Sequence, residues 1–187
     1  MVRIAIFASG SGSNAENIIR YFAENEGVEV VLVLSNKPNA FVLDRAKKYG
    51  IQSIVFSSND LNKSTKVLDA LKEYNVSIVV LAGFLLKIPE SLIQHFPNAI
   101  INIHPALLPN YGGKGMYGMN VHHAVVQNQE SKTGITIHYV NENYDEGAII
   151  FQATCILEPQ DTPEDVQVKV QKLEALHFAK VIESVVR

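Results

Sequence analysis

The sequence contains very little cysteine, with Cys155 as the sole example in 187 residues. An internal disulfide is therefore impossible, and such sparse use of cysteine is typical of a reducing compartment. Cys155 lies within an apolar stretch, residues 149–157, where we expect a buried, unreactive thiol rather than a nucleophile.

Long hydrophobic runs are missing as well. No apolar segment approaches the ~20 residues that a membrane-spanning helix needs. Residues 1–8 begin a strand at once and lack the layout of a signal peptide. We therefore expect a soluble, cytoplasmic protein that has no membrane partner.

The sequence also has no excess of positive charge. Sixteen Lys and Arg residues against 19 Asp and Glu residues give a net charge of −3, so the basic surface expected for nucleic-acid binding is missing. Apolar residues make up 47% of the chain and charged residues 19%, which excludes disorder as the main state. The expected partners are small molecules rather than nucleic acid.

The six histidines form no recognisable metal-binding pattern. His122 and His123 are adjacent, so their side chains point apart, and no H-E-x-x-H motif is present. A G-x-S-x-G motif is missing too, and Ser13 is better explained as a helix cap. We predict neither a metal site nor a covalent serine hydrolase.

The apolar pattern predicts alternating strands and helices through residue 104, in the order β-α-β-α-β-α-β-α-β. This order is typical of an α/β protein with a mostly parallel, twisted sheet and helices on both faces. Two later strands bring the expected total to about seven, and residues 57–62 are expected to form a polar loop. The later expected elements are a helix at 121–127, strands at 134–140 and 148–157, and a last helix capped by Asp161 or Thr162.

A glycine-rich segment, residues 9–14 (Ser-Gly-Ser-Gly-Ser-Asn), follows the first strand and precedes a helix. Glycines let a backbone approach a ligand closely, and the free N–H groups at a helix start attract phosphate. Ser13 or Asn14 is expected to cap the helix. No acidic residue follows the second strand to hold a ribose diol, which favours a mononucleotide or sugar-phosphate over NAD. A plain strand-to-helix turn is the remaining alternative.

An amide and an imidazole interrupt the apolar run at residues 99–109. Asn102 and His104 are two residues apart, so on a strand their side chains leave from the same face. Pro105 should end this strand, which places both side chains at its carboxyl end, where open α/β sheets bind ligands. Alternatively, both residues have only structural roles.

A carboxylate near His104 would complete an acid–base site. An amide beside an imidazole can stabilise charge that develops on a carbonyl oxygen. Asp145, in a loop between two late strands and near His138, is the acid best placed to raise the pKa of the imidazole. Alternatively, Asp145 has only a structural role, as an aspartate in the turn before Gly147. Leu85, Leu86 and Ile88 form an apolar loop that either lines a pocket or closes the core.

Three motifs occur in order along the chain: residues 102–109 (Asn-Ile-His-Pro-Ala-Leu-Leu-Pro), residues 136–140 (Thr-Ile-His-Tyr-Val) and residues 145–150 (Asp-Glu-Gly-Ala-Ile-Ile). Together they resemble the signature of the folate-dependent formyltransferases. Residues 4–14 resemble the start of the branch of this family that formylates phosphoribosylglycinamide. The likeness covers nearly the full chain.

The resemblance implies a single formyltransferase domain, residues 1–187, with a Rossmann-like N-terminal half. Residues 1–100 would bind the phosphate and nucleotide, and residues 101–187 would be catalytic and bind folate. The implied reaction transfers the formyl group of 10-formyltetrahydrofolate, a co-substrate, to the amine of 5-phosphoribosylglycinamide in purine biosynthesis. No metal is implied, and the expected assembly is a monomer or homodimer.

The family's functional residues are carried over by position. Asn102, His104 and Asp145 match its catalytic amide, imidazole and carboxylate. In the implied mechanism the first two stabilise the oxyanion, while Asp145 keeps His104 protonated. The matched binding residues are Gly12, Ser13 and Asn14 for the phosphate, Gln171 and Glu174 for the ribose and glycinamide, and Lys63, Leu85, Leu86, Lys87, Ile88 and Asn102 for folate.

One segment departs from the family pattern, because residues 112–119 are longer and richer in glycine than expected. We expect a mobile loop over the site there, and we transfer no folate contacts to it. Formyltetrahydrofolate deformylase is the nearest alternative, although it usually carries an additional N-terminal domain. Methionyl-tRNA formyltransferases add a basic C-terminal domain, and a non-catalytic nucleotide-binding module would leave Asn102, His104 and Asp145 without a role.

Overall fold

A computed structural model describes residues 1–186. Strands and helices alternate through most of this range. The strands are β1 (Val2–Phe7), β2 (Val28–Ser35), β3 (Gln52–Val55), β4 (Ile78–Leu81), β5 (Ile100–His104), β6 (Lys132–Tyr139) and β7 (Ile149–Ile156). The helices are α1 (Ser13–Phe22), α2 (Val42–Lys48), α3 (Ser58–Lys63), α4 (Lys66–Glu73), α5 (Glu90–His95), α6 (Met119–Gln127) and α7 (Pro163–Val186).

The seven strands form one sheet in the order β3-β2-β1-β4-β5-β6-β7. β1 pairs in parallel with β2 and β4, β2 pairs in parallel with β3, and β6 and β7 are antiparallel. The predicted mostly parallel sheet of seven strands is therefore confirmed. The strand order reverses direction at β1 and β4, so this pair is the topological switch point at which open α/β sheets bind ligands.

The chain folds into two compact units, Met1–Ile101 and Asn102–Val185. In the first unit, Ile4 to Ala8 are completely buried, which explains why the chain is continuously apolar from the middle of β1 through Ala8. The ring of Phe7 packs edge-on against Phe56 and Phe84, with centroids 5.8 and 5.3 Å away. The single-domain assignment stays a prediction.

In the second unit, the core lies along β6 and α7. Ile135 and Ile137 of β6 are completely buried, as are Val166 and Ile182 of α7. Thr162 caps α7: its hydroxyl accepts from the Asp165 N–H at 3.2 Å, and the Asp165 carboxylate accepts from the Thr162 N–H at 3.0 Å. Of the two predicted caps, Thr162 is the one that makes this reciprocal pair.

Two local predictions are wrong. Residues 57–62 are not a polar loop: Ser57 is the N-cap of α3 and the helix runs from Ser58 to Lys63, because Ser57 and Asp60 make a capping box. Neither Ser13 nor Asn14 caps α1; the N-cap is Gly12, whose left-handed backbone (φ 74°) brings no side-chain acceptor to the first turn. The N-cap of α1 therefore makes no side-chain hydrogen bond to the helix.

Cys155 is half-buried on β7 rather than fully buried as expected, and burial raises the pKa of its thiol. Among residues 1–186, no helix combines the length and apolar character needed to cross a membrane. Within the same range, no group of three or more His, Cys, Asp or Glu side chains is arranged to hold a metal ion.

Candidate active site

β5 ends at His104, immediately before Pro105, as predicted. His104 is buried, with 4% of its surface exposed. Its Nε2 lies 2.7 Å from the backbone oxygen of Tyr111. Since a carbonyl oxygen only accepts, Nε2 must carry the proton of this hydrogen bond. The opposite ring nitrogen, Nδ1, is then the one that faces Asp145.

Asp145 lies in the loop between β6 and β7 with a left-handed backbone (φ 57°) that non-glycine residues rarely adopt. Its Oδ2 is 3.6 Å from His104 Nδ1, and its Oδ1 is 3.6 Å from His138 Nε2. The carboxylate is 12% exposed. One acid thus faces two buried imidazoles, and such backbone strain is often kept at functional sites.

Asn102 joins the same cluster through His138. The Asn102 Nδ2 lies 3.1 Å from His138 Nε2. The other ring nitrogen of His138, Nδ1, lies 2.8 Å from the backbone oxygen of Tyr139 and therefore donates to it. In neutral His138, Nε2 consequently accepts from Asn102. An amide nitrogen has two hydrogens, so this bond uses only one of the two donors on Asn102.

Burial dominates the electrostatics of His104. It lowers the pKa of His104, and the opposing influence of Asp145 does not compensate. Asp145 raises the His104 pKa, as expected, but burial lowers it by more, so the expectation that Asp145 keeps the resting imidazole protonated is wrong for this structure. Burial also acts against ionisation of Asp145, but His138, the charge of His104 and the Gly113 N–H together lower its pKa. The carboxylate is ionised at neutral pH, and His104 is mainly neutral.

The loop after β5 is held to β6 by a buried threonine. The Thr136 hydroxyl donates to the Ala106 oxygen at 2.7 Å and accepts from the Leu108 N–H at 2.9 Å. The Gln152 amide donates to both the Thr136 hydroxyl (2.8 Å) and the Leu108 oxygen (3.0 Å). Sequence reasoning did not assign a role to Thr136, because its partners are 16 to 30 residues away.

The first residues of the loop at residues 112–119 pack directly against Asp145. The Gly113 N–H donates to Asp145 Oδ2 at 2.9 Å. A Cβ on Gly112 would lie 2.6 Å from Leu108 Cδ2 and 3.3 Å from Asp145 Cβ, so only glycine fits this approach without displacement. Residues 112 and 113 are thus part of the site's framework.

In the first unit, the residue 9–14 segment follows β1 and leads into α1. A Cβ on Gly12 would lie 2.5 Å from Val42 Cγ2, so α2 packs too closely for any side chain there. The Arg45 Nε donates to the Ser11 oxygen at 2.8 Å, and the Val42 N–H donates to the Gly10 oxygen at 3.2 Å. These bonds fix the segment at the start of α1, and the N-terminus of a helix suits an anion.

Ser9 connects this segment to the loop after β4. Its Oγ donates to Asn36 Oδ1 at 2.6 Å and accepts from the Leu85 N–H at 3.0 Å. Leu85 is 44% exposed, whereas Ile88 is 4% exposed. The predicted folate segment therefore divides: Ile88 closes the core, while Leu85 and exposed Lys87 face solvent and Leu86 is half-buried. Sequence reasoning did not identify Ser9.

The remaining predicted contacts lie on helices. Lys63 is exposed at the last residue of α3. Gln171 is exposed and Glu174 half-buried, three residues apart on α7 and hence on one face of that helix. Their binding roles stay predictions.

The model of the formyl transferase family matches residues 2–182. The chain belongs to this family. Its similarity to curated members is spread over nearly the full sequence. A chloroplastic phosphoribosylglycinamide formyltransferase from Arabidopsis thaliana is 39% identical over 186 residues, covering 96% of this chain. A Bacillus subtilis protein of the same enzyme name is 35% identical and is matched over 97% of this chain and 93% of its own length.

The chain spans 64% of the Arabidopsis relative and 60% of a relative from Vigna unguiculata. Solved structures are similar over greater shares of their length. A phosphoribosylglycinamide formyltransferase from Anaplasma phagocytophilum superposes with a TM-score of 0.91 at 31% identity, covering 99% of this chain and 86% of that one. For the Bacillus halodurans formyltransferase the TM-score is 0.87 at 34% identity, with 98% and 94% covered.

Proposed function

We propose that this formyl transferase moves the formyl group of 10-formyltetrahydrofolate to the amine of 5-phosphoribosylglycinamide. The products are N-formylated phosphoribosylglycinamide and tetrahydrofolate, in de novo purine biosynthesis. The observation that carries this proposal is the contact of Asp145 with His104, beside Asn102, at the carboxyl end of β5. The names of relatives at 35–39% identity support the choice of acceptor.

The first step is attack of the substrate amine on the formyl carbon. A new carbon–nitrogen bond forms and the carbonyl oxygen becomes an oxyanion, which needs hydrogen-bond donors in a site that excludes water. Asn102 supplies the N–H that His138 does not use. Protonated His104 places a positive charge beside the oxyanion, with Nε2 bonded to the Tyr111 oxygen and Nδ1 facing Asp145. Asp145, at 3.6 Å from the ring, stabilises that protonated form.

The second step breaks the bond between the formyl carbon and the folate nitrogen. The amine loses a proton and the departing nitrogen gains one, so the net reaction needs no oxidant or other co-reactant. His104 or a water carries this proton. Because burial lowers the His104 pKa, its protonated form is a stronger acid than an exposed imidazolium. This property suits protonation of the leaving nitrogen.

Substrate binding is assigned to the predicted segments. Gly12, Ser13 and Asn14 hold the phosphate at the start of α1. The backbone of the segment Leu85, Leu86, Lys87 and Ile88 holds the pterin, with Lys63 as a basic contact. Gln171 and Glu174 hold the ribose and glycinamide. A cytoplasmic location, a monomer or homodimer, and a reaction without metal complete the proposal.

The test measures tetrahydrofolate release spectroscopically, with and without phosphoribosylglycinamide. A transferase releases tetrahydrofolate only when the acceptor is present, with one formylated acceptor for each molecule released. Equal release without acceptor, together with free formate, would instead identify a deformylase. Binding of a phosphorylated ligand with no turnover in either condition would favour the non-catalytic module.

A further inference from the structure

Tyr111 is anchored within the second unit through both its backbone oxygen and its side-chain hydroxyl. Its backbone oxygen accepts from His104 Nε2 at 2.7 Å. Its hydroxyl donates to Glu130 Oε1 at 2.7 Å and accepts from the Asn128 amide at 2.9 Å. Glu130 and Asn128 follow α6 and precede β6, so a residue of the loop is anchored to the segment between these two elements.

The backbone conformation at Tyr111 and the packing of the next two residues hold the Tyr111 carbonyl in one direction. Tyr111 has a left-handed backbone (φ 57°), which costs energy for a residue with a side chain and is kept only where other contacts enforce it. On the next residues, Gly112 packs against Leu108 and Asp145, and the Gly113 N–H is bonded to Asp145. Residues 111–113 therefore contact both partners of the His104–Asp145 pair.

We propose that Tyr111 is a positioning residue for His104, whose ring orientation and proton location depend on the anchoring of the Tyr111 hydroxyl by Glu130 and Asn128. The phenol acts by holding the peptide oxygen against Nε2. With Nε2 fixed as the proton-bearing nitrogen, Nδ1 faces Asp145. For its effect on turnover, this inference rests on the proposed transferase function.

The groups that face His104 decide what loss of the anchor does. Asp145 and the Tyr111 oxygen raise the His104 pKa, while burial and His138 lower it. His122, buried on α6, also interacts electrostatically with His104. Releasing the Tyr111 oxygen removes a stabilising influence on the imidazolium and leaves the others in place. The His104 pKa should then fall further.

The test compares Tyr111→Phe with Tyr117→Phe, a matched loss of hydroxyl at a half-exposed tyrosine of the same loop. Glu130→Gln keeps an oxygen that accepts from the phenol, whereas Glu130→Ala removes it. In the wild type, ¹⁵N NMR of the histidines should find neutral His104 protonated at Nε2. In Tyr111→Phe and Glu130→Ala, its titration should move to lower pH, with Glu130→Gln and Tyr117→Phe close to the wild type.

Turnover is the second readout. For Tyr111→Phe we expect kcat to fall on the order of tenfold with a smaller change in KM, because alignment rather than binding is lost. The acid limb of the rate profile should move in the same direction as the NMR titration. A folded Tyr111→Phe with wild-type His104 titration and turnover would overturn the inference. Histidine NMR needs no substrate, so it decides the positioning role even if the wild type proves not to be a transferase.

Discussion

Replacing Asp145 with Asn removes one negative charge while keeping the size of the side chain. The charge lies 3.6 Å from His104 Nδ1 and from His138 Nε2. At an effective dielectric constant of about 20, two unit charges at this distance interact by about 4–5 kcal/mol. His104 carries its full charge during only part of the reaction, so we expect a loss of about 2–3 kcal/mol in the transition state, or roughly 30- to 150-fold in kcat/KM.

The assay is the pH dependence of kcat/KM for the acceptor. Asp145 raises the His104 pKa against the larger effect of burial, so its removal should lower that pKa further. The limb of the profile that reports His104 should therefore move to lower pH in Asp145→Asn. Asp69→Asn, an exposed neutralisation on α4, serves as the matched control and should be unchanged. Turnover within threefold of the wild type in a folded Asp145→Asn, with an unmoved limb, would refute the reasoning.

Two further predictions concern stability and binding. Burial lowers the pKa of His122 from 6.5 to about 4, so the neutral form stabilises the fold above pH 6.5 and this stability is lost as the pH falls toward 4. Between pH 7 and 4.5, His122 should lower the free energy of unfolding, measured in urea, by roughly 2–3 kcal/mol. His122→Leu should lose that much less stability over the same pH range. An equal pH dependence of the unfolding free energy in the two proteins would contradict this reading. Gly12→Ala places a Cβ 2.5 Å from Val42 Cγ2 at a φ of +74°. With ~1–2 kcal/mol of strain, this change should raise KM for the phosphorylated acceptor on the order of tenfold. The control Gly10→Ala has nothing within 4 Å of its Cβ and should leave KM unchanged. Similar KM values in both variants would count against phosphate binding by this segment.

The elements of the sheet were predictable because their signals are local. An apolar run followed by Pro105 determines where β5 ends, and the alternation of strands and helices predicts a mostly parallel sheet. The helix α3 was predictable too, since Ser57 and Asp60 have the spacing of a capping box. The polar composition of this segment does not prevent a helix once the capping box is formed.

The parts of the site that sequence reasoning missed depend on distant contacts. Ser9 joins Asn36 and Leu85, and Thr136 joins Ala106 and Leu108. No local pattern reveals such partners. The influence of Asp145 on the His104 pKa was predicted correctly, but the resting protonation state of His104 was not, because the depth of burial that outweighs Asp145 is a property of the folded chain.

The most direct measurement of the central claim is acceptor-dependent release of tetrahydrofolate by the wild type and by folded His104→Ala. We predict release that requires phosphoribosylglycinamide, and a decrease of about 10²–10⁴-fold in the variant, as expected for loss of a general acid that also stabilises the oxyanion. Near-normal turnover by His104→Ala would contradict the claim that the buried imidazole beside Asp145 performs the transfer.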